Sequence, residues 1–299
     1  MIAVDWGTSS FRAYRLDATG GVMEQRSAAA GLLACGGAFE ATLAEQVAGW
    51  DDPLIVMAGM IGSRSGWREV PYVACPAGMA ELAAGLCRLG PTMLADRSVF
   101  IAPGMSCHPP DGPPEVMRGE ETQLLGLLDS LPDDGPHTVC LPGTHSKWVR
   151  IAAGRIETLH TAMTGELYAL LRKHSLLAAL MPPSSDDDVD DPEGYARGVA
   201  DSAREGGLSN HLFGVRTQGL FGSLDAAQAP SYLSGLLIGH ELRALAPAHV
   251  RTVHLVGGTG LVQRYRRALE LLAVPSTVHG ESLTATGLFR LARARGLLA

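Results

Sequence analysis

VCLPGTHSKWVRI, residues Val139 to Ile151, sets Gly143-Thr144-His145-Ser146 between two apolar, strand-like runs. The N-terminus repeats the arrangement. IAVDWGTSSFRAYRL sets Gly7-Thr8-Ser9-Ser10 between Ile2-Ala3-Val4 and the run Phe11 to Leu16. The likeness continues outward from each turn. After the first, ATGG leads into VMEQRSA, with Gly20-Gly21 as a hairpin signal; after the second, AAGR leads into IETLHTAM. Both regions read as strand–turn–strand–turn–strand. A supersecondary unit written twice is a stronger fold signal than either copy alone.

Helices and buried strands follow each meander. In the first half, FEATLAEQVAGW repeats Phe39, Leu43, Val47 and Trp50 at helical spacing. PLIVMAGMIG is an apolar run ending in Gly, which suits a strand covered on both faces. MAELAAGLCRL predicts a helix, SVFIAPGMS a strand, and RGEETQLLGLLDSL a helix with Glu120 and Glu121 in its first turn. PDDGPH marks a boundary, after which the pattern restarts. In the second half, helices are expected in GELYALLRKHSLLAAL, GLSNHLFGVRTQGLFGSL and SYLSGLLIGHELRAL. VHLVGGTGLVQRYRRALELL reads as strand, glycine turn and helix, and GLFRLARARGLL closes the chain as a helix. The tract 182–194, PPSSDDDVDDPEG, reads as a solvated loop, since its adjacent carboxylates lack the spacing of a calcium loop. Each half should form a small sheet with flanking helices. The expected domains are 1–132 and 137–284, with 285–299 packing back onto the first. Two such domains facing each other would leave a cleft for a small ligand.

Bulk properties exclude several classes. The 299 residues suffice for two modest domains. Hydrophobic residues make up 46%, and mean hydropathy is +0.12, so a large core is available. The net charge of −7 speaks against nucleic-acid binding, which favours basic patches. Five scattered cysteines without C-x-x-C argue for reduced thiols in the cytoplasm rather than a disulfide frame or zinc site. The chain opens directly into a strand carrying Asp5, without the basic and apolar regions of a signal peptide. No apolar run approaches the roughly 20 residues of a membrane span.

The repeated turn has a physical rationale. A tight turn of Gly and small hydroxyl residues leaves backbone N–H groups pointing outward, a nest for phosphate oxygens. Thr8, Ser9, Thr144 and Ser146 add hydroxyl donors and Lys147 a cation. The plainer alternative is that these are ordinary turn residues closing two hairpins; it is the pairing that favours phosphate. Asp5 ends the first strand beside its turn, where hydrated Mg²⁺ is a natural partner and turn capping is the alternative. Only the first turn carries such an acid, because Leu141-Pro142 stands at the matching place in the second.

Gly257, Gly258 and Gly260 in VGGTGL follow a strand and open a helix, which allows close ligand approach. Their spacing is not G-x-G-x-x-G, and a meander is not a βαβ start, which disfavours dinucleotide binding. Glu120 and Glu121 are candidates for a general base; equally, both can serve the helix dipole. The loop AGMIGSRSGWREVPYVACPAG carries Arg64, Trp67, Arg68 and Tyr72. Arg can grip a carboxylate with two donors and Trp can stack on a sugar. Against this stands a surface loop with Trp67 folded onto the body.

In order, DWGTSSFRAY, RGEETQLLG, PGTHSKWV, VGGTGL and TATGLFRLA resemble the sugar kinase, actin and Hsp70 ATPase superfamily. Nearly end to end, the chain is most similar to its 2-dehydro-3-deoxygalactonokinases. The carrying signatures are the loop Ala58 to Gly78, RGEETQLLGLL, and LPGTHSKWVRI followed by TAMTGELYALL. The resemblance implies an α/β fold of two duplicated actin-like (ribonuclease H-like) domains around a nucleotide cleft. It implies ATP and Mg²⁺, and transfer of the γ-phosphate to the 6-hydroxyl of a 2-keto-3-deoxy sugar acid. Asp5, Gly7, Thr8 and Ser9, with Gly143, Thr144, His145, Ser146 and Lys147, would hold phosphates and metal. Gly257, Gly258 and Gly260 would border adenosine, and Arg64, Trp67, Arg68 and Tyr72 the sugar acid. Related kinases place a catalytic Asp after Gly at the connecting helix; here Gly119-Glu120 matches, with Glu121 next to it. A same-fold kinase for another sugar, and an ATP-gated binding protein, are the rival readings. The second would need an attached binding or polymerising segment.

Overall fold

Ile2-Ala3-Val4 is apolar without a break, as a strand covered on both faces must be, and all three residues are fully buried. The computed structural model describes residues 1–298 except 91, 93, 95, 111, 133–134, 183–190, 248–249 and 281. It divides into two compact units. The first comprises Met1–Pro136, Arg150–Leu159 and Gly280–Ala299, and the second His137–Val149 and His160–His279.

The first unit opens with the meander β1 (Ile2–Trp6), β2 (Phe11–Leu16) and β3 (Val22–Ala28). There follow α1 (Leu32–Cys35), α2 (Phe39–Gln46), β4 (Leu54–Ala58), the short strands β5 (Val73–Ala74) and β6 (Ala77–Gly78), and α3 (Met79–Ala84). Next come β7 (Cys87–Arg88), β8 (Ser98–Ile101), β9 (Met105–Cys107), β10 (Glu115–Met117) and α4 (Glu120–Leu127). The main sheet runs β3-β2-β1-β4-β8-β7. The meander is antiparallel, whereas β4 and then β8 add parallel to β1. A small sheet, β10-β9-β5, stands apart.

The second unit carries β11 (His137–Leu141), β12 (Ser146–Ala152), β13 (Arg155–Ala162), α5 (Thr164–His174), α6 (Pro192–Asp201) and α7 (Gly207–Leu220). It continues with α8 (Ala229–Leu245), β14 (Val253–Val256), α9 (Thr259–Leu271) and β15 (Ser276–His279). Its sheet runs β15-β14-β11-β12-β13, with β14 and β15 adding parallel to β11. The links between β11, β12 and β13 are too short for a parallel crossover, so this meander is antiparallel too. The tip of its second hairpin is grouped with the first unit, where Arg155 and Ile156 pair with Gly78 and Ala77 of β6. The closing helix α10 (Leu283–Ala294) also belongs to the first unit and packs on α4 and α3.

With the short strands set aside, both sheets read third–second–first–fourth–fifth, with parallel addition at the fourth and fifth. Two actin-like ATPase domains in succession produce this order. One core lies on the first sheet around Trp6, Phe11, Trp50 and Ile55. The second unit has a core around Trp148, Val253, Val262 and Tyr265, and another among its helices around Val215, Leu233 and Leu236.

Several elements are shorter than the sequence suggests. The helix expected over Met79 to Leu89 stops at Ala84, and Cys87–Arg88 becomes an edge strand on β8. The helix expected through Leu180 ends at His174, where the Ser175 hydroxyl donates to the Leu171 carbonyl. Most of the acidic tract lies outside the described residues. Its end is helical, because Asp191 caps α6 by accepting from the Gly194 N–H and Pro192 fits the first helical position. Among the described residues no helix is long and apolar enough to cross a membrane.

Candidate functional site

The first turn is built to leave donors free. Gly7 N–H donates to Ser10 O at 2.9 Å and closes it. The carbonyls of Gly7 and Thr8 accept from Leu32 and Leu33 N–H, both at 3.1 Å, which ties the turn to the start of α1. The N–H groups of Thr8 and Ser9 have no acceptor among the described residues, and both residues are exposed. Gly31 supports the turn from below, where a Cβ would come within 2.4 Å of the Ser9 backbone.

Asp5 lies at the base of this turn. It faces Arg12 across the β1–β2 ladder, with Nη1 3.6 Å from Oδ2, beyond hydrogen-bond distance. Burial pushes its carboxyl above the usual range, against the pull of Arg12. A desolvated carboxylate with one loose partner fits a divalent cation, whose charge would restore the ionised form. No group of three or more His, Cys, Asp or Glu gathers as a metal cage among the described residues. Any such ion would therefore rest on Asp5, water and ligand oxygens.

Two glycines bring α4 to the same place. Gly59 (φ +93°) follows β4 and Gly119 (φ +112°) precedes α4, both in backbone that side chains disfavour. A Cβ on Gly119 would sit 3.2 Å from the Gly59 Cα, and one on Gly59 would sit 3.4 Å from Asp5 Oδ1. Glu120 is partly exposed, and its Oε2 accepts from the Arg118 N–H at 3.0 Å. Glu121 is fully buried, and its Oε2 accepts from the Gly119 N–H at 2.7 Å. Its Oε1 has no hydrogen-bond partner. Burial, reinforced by the Glu120 charge, raises the Glu121 carboxyl to about 8. The two adjacent acids thus differ in kind: Glu120 is open and Glu121 is sealed and predominantly neutral at neutral pH.

In the loop after β4, Trp67 packs on the first core, the second of the two readings given for this loop. Arg64 faces solvent, 3.7 Å from Glu69, and Arg68 is exposed. Tyr72 lies under a guanidinium that carries no such signal in the sequence. Arg118 stands 4.3 Å above its ring centroid. In RGEETQ the two acids carry the legible signal, and only the folded chain brings its arginine to this loop.

In the second unit, the turn Gly143–His145 is braced by α5. Glu166 N–H donates to Thr144 O at 3.0 Å, and the His145 ring is hydrogen-bonded to the Glu166 carboxylate. Gly165 leaves room for this approach, as a Cβ there would come within 2.4 Å of Gly143 O. Thr144 is exposed. Ser146 differs from the expectation of an outward donor, because its buried hydroxyl pairs with Tyr265 at 2.8 Å. Lys147 is also drawn inward, its Nζ donating to Thr161 Oγ1 at 2.9 Å. Gly257 adjoins the turn, since a Cβ on it would sit 3.5 Å from Pro142 O. Gly258 and Gly260 are exposed at the start of α9. The second unit thus joins its turn and its glycine corner on one edge. The buried support beneath them, Glu241 with Trp148 and Tyr265, carried no signal in the sequence.

A family model described as 2-keto-3-deoxy-galactonokinase matches residues 5–291. The chain is 36% identical over 299 residues to the 2-dehydro-3-deoxygalactonokinase of Escherichia coli (strain K12), covering 98% of this chain and 97% of that protein. It is 41% identical over 275 residues to a "Probable 2-dehydro-3-deoxygalactonokinase" of Rhizobium meliloti (strain 1021), covering 90% of this chain and 88% of that one. Among solved structures, one titled "Crystal structure of a putative 2-dehydro-3-deoxygalactonokinase protein from Sinorhizobium meliloti" superposes with a TM-score of 0.89. It shares 36% identity and the match covers 98% of both chains.

Proposed function

The chain belongs to the 2-keto-3-deoxy-galactonokinase family, and from that membership we propose that it phosphorylates 2-dehydro-3-deoxy-D-galactonate. The donor is ATP, the acceptor is the 6-hydroxyl, and the products are the 6-phosphate and ADP. The observation that carries the reading is the first turn. Its two unclaimed N–H groups, Thr8 and Ser9, stand next to a desolvated carboxylate and to the start of α4. That is a set of parts for holding phosphate oxygens, a cation and a base together.

Glu120 takes the proton of the 6-hydroxyl as that oxygen bonds to the γ-phosphorus and the bond to the β-phosphate oxygen breaks. Its exposure supports this role over Glu121, whose carboxyl is fully buried and raised to about 8. Asp5 would hold Mg²⁺, which when bound neutralises charge on the phosphate oxygens. The turn Gly143–His145 would serve the phosphates, and Gly257, Gly258 and Gly260, bare of side chains, the nucleotide. Arg68 and Tyr72 are proposed to border the sugar acid.

The test is to mix the protein with ATP, Mg²⁺ and a panel of sugar acids and neutral sugars, and to follow ADP and product mass. The expected result is one phosphate added to the 2-keto-3-deoxy acid. ATP hydrolysis that ignores the acceptor, or a neutral sugar as the better substrate, would reject the reading. Glu120→Gln should lower kcat by roughly 10²–10⁴, the usual worth of a general base, with KM for ATP little changed. If Glu121→Gln shows that loss instead, the roles of the two acids are reversed.

A further inference from the structure

The substrate class proposed above carries a carboxylate, and a protein recognising it needs a cation that is positioned in advance. Arg64, which the sequence favours, is 90% exposed and paired only loosely with Glu69. An arginine that exposed loses much side-chain entropy on gripping a ligand. Arg118 differs in every respect. Its Nη2 donates to Val70 O at 2.8 Å, and its guanidinium lies over the Tyr72 ring. Gly62 makes room for it, because a Cβ at that position would come within 2.9 Å of Nη1. The side chain is thus held at two points of one loop, and a third leaves it room.

Yet its hydrogen bonding is incomplete. Nε and Nη1 are buried without an acceptor among the described residues. Two orphaned donors on one guanidinium are costly, and they call for an acceptor that the protein itself does not supply. Neither neighbouring acid hydrogen-bonds these donors, although the guanidinium charge acts on the Glu121 carboxyl. Glu120 Oε2 accepts from the backbone N–H of Arg118, and Glu121 Oε2 is taken by Gly119 N–H. The guanidinium therefore stands two residues from the proposed base with no carboxylate hydrogen-bonded to it.

We propose that Arg118 is the specificity residue that reads the carboxylate of the sugar acid, held ready by Tyr72, Val70 and Gly62. The assignment rests on the kinase reading given above. It makes the first unit an acid reader as well as a phosphate binder. The substrate is fixed at its anionic end by residues that share a loop and a helix start with the groups serving its reacting end.

The experiment compares wild type, Arg118→Ala, Arg118→Lys and Arg64→Ala by steady-state kinetics. The substrates are ATP, 2-dehydro-3-deoxy-D-galactonate and its uncharged C1 amide. If wild type does not phosphorylate the acid, the kinase reading fails before the variants are consulted. Given wild-type turnover, Arg118→Ala should raise KM for the acid roughly 10- to 100-fold, the worth of a lost charge-assisted hydrogen bond. KM for ATP should move by less than about twofold, which is within the scatter of uncoupled sites. The preference for acid over amide should collapse, a change that mere loss of packing would not produce. Arg118→Lys keeps charge and bulk, so it guards against misfolding of the alanine variant; it should retain part of the acid preference with KM between the other two. An unchanged acid-to-amide ratio in both Arg118 variants overturns the assignment. So does a larger acid-specific loss in Arg64→Ala than in Arg118→Ala.

Discussion

At the scale of single residues, the site turns on how burial divides like chemistry. Glu120 and Glu121 are neighbours in sequence, yet the helix turns one toward solvent and the other into the first unit's interior. Because the Glu121 carboxyl is raised to about 8 in the folded chain and lies near 4.3 when unfolded, the native state holds a proton that the unfolded state releases. The native state binds the extra proton between those values, so stability falls as pH climbs through that window, by at most about 1.4 kcal/mol per pH unit. Glu121→Gln keeps an acceptor for the Gly119 N–H and removes the titration. Relative to wild type, its Tm should rise by several degrees between pH 5 and pH 9, measured by thermal unfolding. A Tm difference that is flat with pH would mean that Glu121 is ionised in the native protein. Two adjacent glutamates look alike in sequence, and which one is sealed depends on the packing of α4. The same holds for Arg118, whose role comes from Tyr72 and Val70, far from it along the chain.

At the scale of elements, each turn is supported by a segment that approaches through a glycine, Gly31 for the first and Gly165 for the second. Helix pairs use the same device. A Cβ on Gly287 of α10 would come within 1.8 Å of Thr122 O, and one on Gly126 of α4 within 2.2 Å of Leu283 O. These small residues are close-packing positions. The second turn also rests on a buried polar network. The Glu241 carboxylate accepts from Trp148 Nε1 at 2.7 Å and from Tyr265 OH at 2.6 Å, and Tyr265 in turn pairs with Ser146. Tyr265→Phe would remove one of the donors to Glu241 and the bond between Tyr265 and Ser146, while Trp148, Thr164 and Ser146 stay on the carboxylate. A loss on the order of 1–3 kcal/mol in stability is expected. KM for ATP should rise with little change in KM for the sugar acid, because the loosened element is the proposed phosphate turn. If denaturant unfolding shows the loss but KM for ATP holds, the network supports the second unit without setting the turn.

At the scale of the whole chain, the duplication was legible because it lies in the order of long, strongly patterned strands. G-T-x-S turns flank apolar runs in both halves, and both sheets repeat one strand order. Strands of two or three residues, such as β5, β6 and β7, carry no periodicity to read, and they surfaced only as pairings. The grouping of Arg150–Leu159 with the first unit was equally hidden, since it depends on β13 meeting β6. Gly280–Ala299 is grouped with the first unit. There α10 buries Ala285, Leu288, Leu291 and Ala292 almost completely. Its partners include α4, α3 and β1, the elements that carry Glu120 and Asp5. Ending the chain at His279 would strip that cover while leaving the cores of the second unit intact. Burial of a single Leu or Phe side chain is worth about 1.5–3 kcal/mol, and the helix supplies Leu288, Phe289 and Leu291. The loss therefore rivals the roughly 5–15 kcal/mol that stabilises a typical domain. Limited proteolysis of chain 1–279 should therefore cut preferentially within residues 1–136 and spare a fragment spanning 160–279. Equal digestion of both regions would mean that the two units do not hold their structure separately, and that the last helix stabilises the chain as one cooperative body.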